Sequence, residues 1–124
     1  MLVVEDDDLV RQALKRLLVA GGHECVATAS VEAAQQVLAV HEPSMVISDL
    51  NLGGRLNGID LLCWMRTSPR LKQVPILLMT ADDPEEIRPR LDAAGLADVE
   101  ILSKPFDREA LVRLLARLAD GPSA

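Results

Sequence analysis

A doubly wound α/β domain is the fold class this sequence predicts, and three observations predict it. Short apolar runs alternate with stretches of helical periodicity, five times over. The apolar runs lack clean period-two alternation, as strands buried on both faces do. The chain has 124 residues, enough for one domain and too few for two.

Leu2-Val3-Val4 reads as the first strand. Val10, Leu14, Leu17 and Leu18 then recur at helical spacing, and Gly21-Gly22 ends that helix. Asp8 is the expected cap at its start. Glu24 to Thr28 is a weak second strand. Ser30 caps a helix that puts Ala34, Val37, Leu38 and His41 on one face, and Pro43 punctuates. Met45-Val46-Ile47 is a third strand ending at Asp49. A polar, glycine-bearing loop from Leu52 to Asn57 leads to Ile59, Leu62 and Cys63 on a third helix. Pro75 opens a fourth strand, Ile76 to Met79, bounded by Thr80. Asp82-Asp83-Pro84 is a cap with proline at the first helical position. Glu100 to Leu102 is the fifth strand, and Asp107 caps a last helix faced by Leu111, Leu114, Leu115 and Leu118. Gly121 to Ala124 is a tail.

Composition narrows the function. A net charge of −6 argues against nucleic-acid binding by this domain, and with Trp64 and Phe106 as its aromatics there is no stacking platform. The longest apolar run, Val74 to Met79, is far too short to cross a bilayer, so no membrane role is expected. No signal peptide precedes the first strand. The chain opens almost directly on strand residues, as one trimmed at its amino terminus would. Cys25 and Cys63 read as buried thiols of a cytoplasmic protein, with a disulfide between them left open. His23 and His41 read as structural or surface residues.

The chemistry emerges when the polar residues are placed on the scaffold. Glu5 and Asp6 follow the first strand, Asp49 ends the third, Thr80 ends the fourth and Lys104 follows the fifth. Parallel strands bring these ends to one edge, the carboxyl edge, where open α/β sheets bind ligands. Singly, each residue has an ordinary reading: a helix-starting acid, a turn, a strand-end hydroxyl, a solvated charge. Independent ordinary choices would not align on one edge. Clustered carboxylates repel unless cations intervene, and sparse oxygen ligands suit Mg²⁺. A carboxylate flanked by a metal, a lysine and a hydroxyl can accept a phosphoryl group as an aspartyl phosphate.

From Leu2 to about Leu118 the chain resembles the receiver domains of two-component response regulators, chemotaxis-regulator-like. The resemblance rests on Val3-Val4-Glu5-Asp6, Ile47-Ser48-Asp49, Thr80-Ala81 and Lys104-Pro105-Phe106. It implies a receiver over residues 1–120, a tail over 121–124 and a parallel sheet of order 2-1-3-4-5 with helices on both faces. It implies that Asp6, Asp49 and the backbone carbonyl of Asn51 ligate Mg²⁺ (or Mn²⁺), and that Glu5 holds a metal-bound water. Asp49 would take the phosphoryl group from a phosphohistidine on a sensor histidine kinase or histidine phosphotransfer protein. Such a domain is a signalling module, not an enzyme. Thr80, Ala81 and Lys104 would meet the transferred group, with a cis Lys104-Pro105 peptide orienting the lysine. Asn51 and Asp82 occupy rate-tuning positions.

Three departures stand out. Ile101 replaces the switch aromatic, Pro89 should kink or shorten the fourth helix, and the segments 52–57 and 95–100 look long. Other readings compete. Asp49 to Asp60 superficially matches a calcium loop but has Gly53 and Asp60 at two ligand positions and a strand before it. A haloacid-dehalogenase-like phosphatase would want a carboxyl acid where Asn51 stands. A non-phosphorylated pseudo-receiver would act only as an interaction module.

Overall fold

The computed structural model describes residues 1–120, so the expected tail lies outside the described residues. Strands and helices alternate without exception: β1 (Leu2–Val4), α1 (Asp8–Ala20), β2 (Val26–Thr28), α2 (Val31–Val40), β3 (Val46–Asp49), α3 (Gly58–Arg66), β4 (Ile76–Thr80), α4 (Pro84–Ala93), β5 (Glu100–Ser103) and α5 (Arg108–Asp120). The five strands form one sheet of order β2-β1-β3-β4-β5. All neighbouring pairs are parallel. This is the fold the sequence predicts.

Side chains on a strand alternate between faces, and here both faces are apolar. Leu2, Val4, Val46, Ile76 and Leu78 pack with Ala34 and Leu38 of α2, Leu61, Leu62 and Met65 of α3, and Ile87 and Leu91 of α4. Val3, Ile47, Leu77 and Met79 pack with Leu14 and Leu18 of α1 and Leu111 and Leu115 of α5. Each such Leu, Ile, Val or Met side chain contributes roughly 1.5–3 kcal/mol when fully buried. The sheet is therefore covered by helices on both faces, which leaves its carboxyl edge as the open rim.

Local chemistry sets the helix ends. Ser30 Oγ accepts the Ala33 N–H at 3.1 Å, and Asp107 Oδ1 accepts that of Ala110 at 2.8 Å. Asp83 caps α4 with Pro84 beside it. Gly21 closes α1 and Gly22 follows at φ 91°, a left-handed geometry glycine adopts without steric cost.

Several expectations change. Asp7, not Asp8, caps α1, accepting the N–H groups of Leu9 and Val10, because Asp8 is already the first helical residue. β2 starts at Val26, since β1 offers only Leu2 to Val4 for pairing. β3 starts at Val46, although Met45 remains buried. α2 ends at Val40, leaving His41 extended and exposed off the helix face, two residues before Pro43. The cysteines are half-buried, not buried, and both are free. They pack against opposite faces of the sheet, which rules out a bond between them. α4 runs through Pro89 and continues to Ala93.

Candidate functional site

The strand register delivers the polar residues to one place. Val4 pairs with Ser48, Asp49 with Met79, and Thr80 with Ser103. The residues at or just beyond these pairs are Glu5, Asp49, Thr80 and Lys104. Carboxylate oxygens of Glu5, Asp6 and Asp49 all lie within 4.8 Å of one another. Glu5 is 1% exposed and Asp49 6%, whereas Asp6 faces solvent.

Lys104 reaches into this group. Its Nζ donates to Glu5 Oε1 at 2.8 Å and stands 3.3 Å from Asp49 Oδ2. The lysine backbone is anchored as well, its N–H donating to the Thr80 carbonyl at 2.7 Å. The Lys104–Pro105 peptide is cis. Thr80 is fully buried, and its Oγ1 accepts the Asp82 N–H at 3.0 Å. Ala81, Asp82 and Asn51 are exposed beside the group. Ile101 sits further down β5, paired with Leu78 and packed on the α4 side of the sheet.

The electrostatics follow from burial and neighbours. Burial pushes the Glu5 carboxyl above its usual range; Lys104 opposes the shift and the Asp49 charge adds to it. Burial alone would lower the Lys104 ammonium, but the Glu5 hydrogen bond and the charges of Asp49 and Glu5 together hold it above the ordinary lysine value. Asp6 is held below the usual carboxylate range, first by the Gly53 N–H. An all-oxygen acidic cluster of this size fits a hard divalent cation.

Some contributors have no sequence signal strong enough to announce them. The Arg11 guanidinium donates to the Glu5 carbonyl at 3.0 Å and pairs with Asp8, tying α1 to the acidic turn. Gly58 opens α3 against the end of β3, with its N–H on the Leu50 carbonyl at 2.9 Å. The Asn57–Asp60 capping box that starts α3 was readable from its spacing.

Comparison with known proteins agrees with this geometry. The response regulator receiver domain model matches residues 1–116. Response regulator protein FleR of Pseudomonas aeruginosa is 46% identical over 121 residues, covering 98% of this chain and 24% of FleR. Transcriptional regulatory protein GltR of the same organism is 32% identical over 119 residues, 95% of this chain and 48% of GltR. The chain therefore spans less than half the length of either relative. Among solved structures, chemotaxis response regulator CheY4 of Vibrio cholerae superposes with a TM-score of 0.85 at 28% identity, covering 94% of this chain and 95% of that one. Motif, sheet order, acidic edge and family match converge: this chain belongs to the response regulator receiver domains, the signalling modules of two-component phosphorelays.

Proposed function

We propose that Asp49 is the phosphoacceptor, receiving its phosphoryl group from a phosphohistidine of a sensor histidine kinase or histidine phosphotransfer protein. One observation carries this reading: the Lys104 ammonium lies 2.8 Å from Glu5 and 3.3 Å from Asp49. It supplies a fixed cation beside a carboxylate at the ligand-binding edge of the sheet. An Asp49 oxygen attacks phosphorus, an O–P bond forms as the P–N bond breaks, and the departing imidazole nitrogen keeps the electron pair and is then free to take a proton from water. Asp6, Asp49 and the backbone carbonyl of Asn51 would hold Mg²⁺, with Glu5 on a metal-bound water and Mn²⁺ as a substitute ion. Bound there, the ion supplies further positive charge for the phosphoryl oxygens.

Lys104, Thr80 and the Ala81 segment receive the transferred group. Asn51 and Asp82, exposed at the rim, tune its lifetime. Ile101 gives a switch without an aromatic rotamer. The receiver occupies residues 1–120 and works in the cytoplasm. No described helix is long and apolar enough to cross a membrane.

The test is intact mass after incubation with a small acyl phosphate. We expect a single phosphoryl adduct that requires Mg²⁺, is blocked by EDTA and is absent from Asp49→Asn, whose circular dichroism stays native. A full-level adduct on Asp49→Asn would sink the assignment.

A further inference from the structure

The loop between β3 and α3 touches the acidic cluster through a backbone amide. The Gly53 N–H donates to Asp6 Oδ2 at 2.8 Å, joining residues 47 positions apart. Lys104 contacts Glu5 and Asp49, so Asp6 is the carboxylate of the cluster held by backbone instead of by a cation. An added Cβ at residue 53 would meet Asp6 Oδ2 at 2.9 Å, so the carboxylate would have to shift to admit it. One residue on, a Cβ at Gly54 would meet nothing. Neither glycine has a positive φ, so both positions tolerate an L side chain conformationally.

We propose that the Gly53 amide is the positioning group for Asp6 as a divalent-cation ligand, and that it couples the β3–α3 loop to occupation of the site. The proposal rests on the cation reading given above. The physical case is preorganisation. Three carboxylates within 4.8 Å of one another repel, and the exposed one, Asp6, has the freedom to swing into water. A fixed donor on one of its oxygens holds it against that repulsion before the ion arrives, so less ordering remains to be done on binding. Hydrogen-bond partners of metal ligands commonly carry such a role.

The experiment measures Mn²⁺ affinity by electron paramagnetic resonance in the 124-residue chain and in Gly53→Ala, Gly53→Pro and Gly54→Ala. Proline removes the donor, and alanine displaces the carboxylate while keeping the donor. We expect both Gly53 variants to bind Mn²⁺ more weakly, on the order of tenfold for proline. Gly54→Ala should match the parent chain. Melting in EDTA is recorded alongside, since a purely structural role would lower the melting temperature and leave Mn²⁺ affinity alone. Gly53 variants that fold and bind as tightly as Gly54→Ala overturn the positioning role. A parent chain that binds no Mn²⁺ overturns the cation site itself, and the two failures are thereby separated.

Discussion

A β-carbon at Gly58 would overlap the Asp49 carbonyl oxygen and stand 3.0 Å from both Leu50 Cα and Leu78 Cδ1. Two of those atoms are backbone of the segment that carries Asp49, so they cannot rotate away. Gly58→Ala should therefore cost about 1–3 kcal/mol through overpacking and push the Asp49 segment outward. Chemical denaturation measures the cost, and a variant as stable as the parent chain would refute the contact. A second residue-scale effect concerns Cys25. Burial raises its thiol pKa, and the amino terminus and Lys15 offset this only in part. The folded pKa lies above the unfolded one, so this thiol's contribution to stability is intact below about pH 8.5 and is lost as pH climbs through the folded value. Alkylation of Cys25 near neutral pH should run slower than that of a free cysteine and accelerate only at higher pH. Equal rates would show that the thiol is solvated.

At the scale of elements, arginines tie the loops at the amino edge of the sheet. Arg66 donates to the carbonyls of Lys72 at 2.7 Å and Val74 at 3.3 Å and pairs with Asp98. Arg70 donates to the Leu38 and His41 carbonyls, which satisfies the open end of α2. Arg88 does the same for Ala97 and Val99. These contacts leave the carboxyl edge free for chemistry. Pro89 is the element that fits its surroundings least. It removes the N–H that would bond the Glu85 carbonyl inside α4, although the helix continues past it. Pro89→Ala should raise stability by about 1–2 kcal/mol, less than the full interior penalty because proline also restricts the unfolded chain. The denaturation midpoint should rise at constant m, and no rise would mean that α4 already accommodates the ring.

On the scale of the whole molecule, the acidic edge is a concentration of like charge in a chain of net charge −6. Anything that binds the folded edge and not the unfolded chain stabilises the fold by mass action. Mg²⁺ at a hundredfold excess over its Kd should add about 2.7 kcal/mol, raising the melting temperature by several degrees per kcal/mol. Asp6→Asn should lose most of that rise. If K⁺ at matched ionic strength gives the same rise, screening and not site binding is responsible.

The sequence by itself determined the fold class and which polar residues meet at the carboxyl edge of the sheet. Five apolar runs spaced by helical periods admit a parallel sheet, and the carboxyl ends of its strands gather Glu5, Asp49, Thr80 and Lys104. Those inferences need only local periodicity and the direction of strands, both written in consecutive residues. Tertiary structure decided what depends on approach between distant backbones. It placed the Gly53 amide on Asp6, seated Gly58 against the carbonyl of Asp49 and set Arg11 on the carbonyl of Glu5. It also chose Asp7 over Asp8 as the cap and separated Cys25 from Cys63 across the sheet. A glycine or an arginine carries no mark in one sequence of which carbonyl it will meet, because that partner is fixed by packing between elements tens of residues apart.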